Sequence, residues 1–125
     1  MSEAQAVDES TVRDLTAFQR HILTILAEEA MYGLAIKREL EAYYDDEVNH
    51  GRLYPNLDDL VEIGFVSKSE LDKRTNQYEL TDAGYAAVLD QLTWSLERIV
   101  TDEQRADEVR SVVDDRKCLL VSQSG

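Results

Sequence analysis

The period of the large apolar residues changes at Gly64, and this change limits the folds open to a chain of 125 residues. Before Gly64, apolar side chains recur at intervals of three and four, the spacing of one helical face. Leu15, Phe18, Ile22, Ile25 and Leu26 form one stripe, and Ile36, Leu40 and Tyr43 or Tyr44 a second. Leu53, Leu57, Leu60, Val61 and Ile63 form a third. After Gly64, residues 65–71 and 77–80 alternate in short runs around a polar stretch, 72–76, which predicts a hairpin. Beyond Thr81 helical spacing returns, with Tyr85, Leu89, Leu92, Leu96 and Ile99 separated by four, three, four and three. Two such heptads fit a coiled-coil-like seam.

Local signals place the boundaries. Thr16 suits the N-cap of a first helix ending near Ala30, and Tyr32-Gly33 opens the second. Asn49 suits the N-cap of the third helix and Gly64 its C-cap. Pro55 leaves two readings: the third helix starts near Pro55, or it starts near Asn49 and tolerates the proline with a kink. Thr81 caps the fourth helix. Thr101–Gln104 has capping-box spacing and starts a last helix, to which Ala106, Val109, Val112 and Val113 give a thin apolar edge. The expected fold is mainly α with a small β wing: a winged helix-turn-helix plus a long C-terminal helix. The expected divisions are an acidic flexible arm over 1–14, the winged helix-turn-helix unit over 15–81, C-terminal helices over 82–116 and a tail over 117–125.

Charge restricts the function. Asp and Glu total 26 against 13 Lys and Arg, a formal charge of -13, so a globally basic nucleic-acid binder is excluded. Only four of the bases are Lys. Low Lys with acid spread over the chain suits work in concentrated salt, where the Debye length falls to about 3 Å at 1 M. The plainer reading is an ordinary acidic protein with solvated helix faces. No apolar run is long enough for a transmembrane helix, and no secretory signal is visible, which predicts a cytoplasmic protein.

Within this acidic chain the window Asn49–Leu57 contains no acid. It offers Asn49, His50, Arg52, Tyr54 and Asn56, all able to hydrogen-bond DNA. The hairpin tip carries Lys73 and Arg74, and the second helix carries Lys37 and Arg38. These islands fall on the three elements that a winged helix turns toward a duplex: a helix for the major groove, the helix before it, and a wing. Arg52 is the first candidate for base contact, because an arginine bonds guanine O6 and N7 together. The plain alternative for each is a surface group: a paired arginine, a capping Asn, a solvent-facing His, a partly buried Tyr, a solvated turn.

Three segments carry a family resemblance. Tyr32-Gly33 is followed by Ile36 and Leu40. Leu53-Tyr54-Pro55-Asn56-Leu57 is followed by Leu60 and Gly64-Phe65-Val66. Tyr78-Glu79-Leu80-Thr81-Asp82-Ala83-Gly84 closes the pattern. Together they resemble the PadR-type winged-helix transcriptional regulators, with an acidity of haloarchaeal type. The resemblance implies a homodimer joined through the C-terminal helix, here along Tyr85, Leu89, Leu92, Leu96 and Ile99. It also implies double-stranded DNA with a palindromic operator as partner, and Pro55 inside the recognition helix. The last 25 residues and the acidity depart from the common pattern.

Other classes are weaker. There is no P-loop, GxSxG, HExxH or Cys/His metal set, so neither an enzyme nor a metal or cofactor site is expected. Asp45-Asp46-Glu47 reads as a solvated loop rather than a metal site. Cys118, the one cysteine, excludes an intrachain disulfide; it is a candidate redox sensor or an inert thiol. A protein–protein module binding a basic partner is the alternative function. Oxidant, small ligand and salt are equally compatible as the signal.

Overall fold

The computed structural model describes residues 14–72 and 75–124. The expected arm therefore lies outside the described residues, apart from Asp14. The elements run α1 (Ala17–Glu28), β1 (Met31–Tyr32), α2 (Gly33–Tyr44), α3 (His50–Ile63), β2 (Val66–Asp72), β3 (Thr75–Leu80), α4 (Asp82–Ile99) and α5 (Glu103–Ser124). They divide into two units, one through Gln91 and one from Leu92. No helix among the described residues is long and apolar enough to cross a membrane.

The caps start the helices where the sequence places them. Thr16 and Gln19 form a reciprocal capping box on α1. Asn49 Oδ1 accepts from the Arg52 N–H at 2.8 Å and opens α3. Gly64, at φ 100°, closes α3 in the left-handed region that glycine adopts without a Cβ clash. Pro55 lies inside α3, which begins at His50. It has no N–H to offer the Gly51 carbonyl, so α3 goes without that rung of the ladder.

Packing holds α3 more firmly than its cap does. Leu53, Leu57 and Leu60 are fully buried among Phe18, Ile22, Leu23 and Leu26 of α1, Ile36 and Leu40 of α2, and Val48, Phe65, Val66 and Tyr78. Burying one leucine contributes about 1.5–3 kcal/mol, against about 1 for a good N-cap. Leu23 joins this core although it lies off the expected stripe, because α1 packs on α2, α3 and β3 and buries a wider face. Ile63 is exposed instead, since α3 ends at the edge of its buried face.

The hairpin strands reach further than expected, to Asp72 on β2 and Thr75 on β3. Val66 pairs with Leu80, and pairing continues to Asp72 opposite Thr75, with an irregularity between Glu70 and Asp72. Met31 and Tyr32 add a third strand beside Tyr78 and Gln77, giving the order β1-β3-β2. Two residues are too few to show a period, so only the waiting edge of β3 reveals that strand.

Thr81 joins the end of α3 to the start of α4. Its hydroxyl donates to the Gly64 carbonyl at 2.7 Å and accepts from the Gly84 N–H at 3.0 Å. Its N–H donates to the Phe65 carbonyl. On α4, Gly84 and Ala87 are buried, while Tyr85, Leu89, Leu92 and Ile99 are exposed and Leu96 is partly so.

In the second unit, Asp102 rather than Thr101 caps α5: its Oδ1 accepts from the Arg105 N–H at 2.9 Å. The carboxylate also suits the helix N-terminus better than a hydroxyl does. The last helix runs to Ser124, past the expected end near 116. The stretch 117–124, expected as a tail, therefore continues this helix.

A methyl group at position 84 would sit 2.1 Å from the Phe65 carbonyl oxygen and 2.7 Å from Leu80 Cδ1. Backbone cannot yield there as a side chain would. Gly84→Ala is expected to destabilise the fold by about 2 kcal/mol or more. Urea unfolding measures this; a change within about 0.5 kcal/mol would mean the α4 junction is looser than described.

Candidate nucleic-acid interface

The buried leucines of α3 fix its rotation and therefore what it presents. At 100° per residue, the side opposite Leu53 and Leu57 carries Gly51, Pro55, Asp58, Asp59 and Glu62, all exposed. The first half of that side is free of acid and the second half is acidic. Lys68 of β2 lies 3.9 Å from Asp58, an exposed pair of small worth.

The expected contact residues on α3 occupy different environments. His50 is exposed and its ring lies 5.5 Å from that of Tyr54. Asn49 is exposed, with its side-chain oxygen engaged in capping. The Arg52 guanidinium lies 4.0 Å above the ring of Phe18. Asn56 is half-buried and braces the helix: it accepts from Gln19 Nε2 at 3.1 Å and donates to the Arg52 carbonyl at 2.8 Å. Tyr54 is half-buried, with its phenol against Gly33.

The remaining cations divide. Lys37 is bonded to Glu41 at 2.8 Å, with both side chains largely covered. The Glu41 carboxyl is held below the usual carboxylate range, first by the Lys37 hydrogen bond and then by that from the Val48 N–H. Glu41 thus ties the α2–α3 connection, and Lys37 serves that tie. Arg38 is exposed on α2. Lys73 and Arg74 lie outside the described residues. Among the described residues no cluster of His, Cys, Asp and Glu could hold a metal ion.

Two open clefts flank α3. One of about 450 Å³ lies between Tyr54, the start of α2 and the wing residues Leu71, Asp72, Thr75 and Asn76. The other, about 370 Å³, lies beside Arg52 among Phe18, His21, Tyr44, Asp46 and Glu47. There His21 Nδ1 and the Tyr44 hydroxyl share a hydrogen bond of 2.7 Å. Burial raises the Tyr44 hydroxyl's pKa, while the nearby Arg52 charge works the other way. The sequence reading missed Phe18 and Gln19 as supports of the α3 N-terminal half. The i, i+1 position of Gln19 beside an apolar residue gave no sign that it reaches across to Asn56.

Three packed helices, the third with an acid-free exposed first half, and an antiparallel hairpin alongside make a winged-helix DNA-binding domain. Residues 22–90 match the transcriptional regulator PadR-like family, and the chain belongs to that family. It is a non-enzymatic regulator. The complex structure of hsRosR-S1 is 63% identical, with a TM-score of 0.85, covering 87% of this chain and 97% of that one. RosR of H. salinarum grown from NaBr is 64% identical, with a TM-score of 0.83, covering 86% and 97%. F93 from STIV, a winged-helix DNA-binding protein, is 14% identical with a TM-score of 0.54 over 69% of this chain and 92% of its own, a likeness of fold alone. No curated protein sequence matches the chain.

A Cβ at position 33 would fall 2.6 Å from the Tyr54 hydroxyl oxygen. Unlike Gly84, Gly33 faces the far end of a side chain, which can move. Gly33→Ala is expected to cost less than about 1 kcal/mol in urea unfolding while shifting the His50 ring resonances as Tyr54 turns away. A loss of several kcal/mol would instead show Tyr54 locked in place.

Proposed function

We propose that the chain acts in the cytoplasm as a homodimer that binds a palindromic operator in concentrated salt. Each protomer offers the segment Asn49–Leu57 to a major groove. Arg52 reads a base, and Asn49, His50 and Tyr54 supply supporting contacts, Asn56 less so because its amide is bonded to Gln19 and to the Arg52 carbonyl. Lys73 and Arg74 at the wing tip, with Arg38 and Lys37 on α2, meet phosphates, Lys37 less so because of its bond to Glu41. The observation carrying this reading is the exposed, acid-free first half of α3 in a chain of charge -13. The proposal extends to a place in the oxidative-stress response for this chain, which is similar to RosR. Comparing promoter occupancy in cells with and without oxidant tests that assignment; unchanged occupancy would remove it.

The dimer is read from α4. Tyr85, Leu89, Leu92 and Ile99 are each at least two-fifths exposed, an unusual outlay of apolar surface for a monomer. Leu92→Glu is expected to shift sedimentation from dimer toward monomer in molar KCl. An unchanged mass would place the interface elsewhere.

Selection of duplexes from a random library in molar KCl tests sequence-specific binding. The expected result is a two-fold symmetric consensus, with Arg52→Ala losing about 1–3 kcal/mol of discrimination at one position per half-site. Failure to recover any consensus, or undiminished discrimination, would favour a protein-binding role. The affinity is expected to fall with salt less steeply than the usual ~0.9 counterions per phosphate contact. The cause is the row Asp58, Asp59 and Glu62 beside the binding half of α3, which draws cations in as a duplex approaches. A slope at the usual value would contradict this.

A further inference from the structure

We infer that Phe18 of α1 is a positioning residue that holds the Arg52 guanidinium in its reading orientation; this rests on the proposed base contact of Arg52. Phe18 is 4% exposed, so its ring is a fixed platform set in the core. The Arg52 guanidinium carbon lies 4.0 Å above the ring centroid. At this distance the ring face attracts the guanidinium charge without taking up its hydrogen-bonding capacity as a carboxylate would. The N–H donors therefore remain available for a bidentate contact to guanine.

The other end of Arg52 is held by the same helix. Gln19, next to Phe18, donates from Nε2 to Asn56 Oδ1, and Asn56 Nδ2 donates to the Arg52 carbonyl. Gln19 is itself fixed by the α1 capping box, through its Oε1 to the Thr16 N–H. α1 therefore constrains both the backbone and the charged tip of Arg52. A long flexible side chain held in its binding rotamer loses less entropy on association. α1 thus acts on DNA specificity without touching DNA.

The test uses the full chain and the duplex recovered by selection, together with duplexes altered at the base pair whose recognition Arg52→Ala abolishes. Phe18→Leu keeps an apolar side chain and removes the ring; Phe18→Tyr keeps the ring. Phe18→Leu is expected to reduce discrimination at that base pair by about three- to tenfold, with Phe18→Tyr within about twofold of the parent. In the Arg52→Ala background Phe18→Leu is expected to change discrimination no further, because the two act through one contact. If Arg52→Ala lowers discrimination and Phe18→Leu does not, or if the two losses add, the positioning role is overturned while the base contact stands. If Arg52→Ala leaves discrimination intact, or no duplex is selected, the base contact fails and the inference falls with it. A measurement on the unaltered protein is independent of whether the variants fold: the Arg52 side-chain protons should lie upfield in the NMR spectrum, shifted by the Phe18 ring. Resonances at their free-peptide positions would overturn the inference.

Discussion

The burial of Leu53, Leu57 and Leu60 governs the rest of the DNA-binding unit, because it fixes α3 about its own axis. Helical geometry then leaves no freedom in what each neighbouring side chain faces. Arg52 and Asn56, four apart, turn toward α1, where Phe18 and Gln19 receive them. Tyr54 turns toward α2 and the wing, where Gly33 leaves room for its ring. Gly51, Pro55, Asp58, Asp59 and Glu62 are left outward. A rotation of one residue would bury Arg52 or Tyr54 and break every one of these contacts. The core thus specifies what α3 presents, and α1 shares in that through Phe18 and Gln19.

That rotation also orders the charge. The outward side of α3 is neutral over its first two turns and acidic over its last two. The acid sits beyond the end that a helix presents to the groove in this architecture. Among the described residues the ion pairs are mainly exposed ones, such as Arg110 with Asp107 and Glu103, and exposed pairs add little. Concentrated salt would relieve the resulting repulsion. It also weakens ordinary phosphate attraction, so the burden of recognition shifts from long-range charge to contacts made at hydrogen-bond distance, and the rigid seating of Arg52 suits that regime.

Much of this was legible in the residues. Thr16, Asn49, Gly64 and Thr81 each mark a boundary through chemistry that acts over three or four residues, and each stands where expected. The leucine stripe of α3 was equally plain. What escaped depends on partners distant in sequence. β1 exists because β3 offers an edge. Lys37 looks like a free cation until α2 brings Glu41 beside it and the loop presents the Val48 N–H to the same carboxylate. Asn56 looks like a free amide until Gln19 arrives from 37 residues away. Asp102 displaces Thr101 as the α5 cap by a single position, which spacing alone does not resolve because both residue types cap well. Acid-free composition singled out the window Asn49–Leu57, but composition cannot tell a side chain that is presented from one that is spent on holding the fold.

The α4 helix shows the same dependence from the other side. It buries its small residues, Gly84 and Ala87, and exposes its large ones, Tyr85, Leu89 and Leu92. In a helix serving only a monomer core the large residues would face inward. The small inner residues let α4 approach closely, and Gly84 meets the Phe65 carbonyl with no side chain between them. Thr81 then bonds both to Gly64 at the end of α3 and to Gly84 at the start of α4. The start of α4 is thereby fixed to the end of α3. In the proposed dimer, with a second copy on the exposed side of α4, the junction through Thr81, Gly64 and Gly84 leaves no flexible linker between α3 and α4. One fixed half-site spacing in the proposed palindromic operator is what such a junction would read.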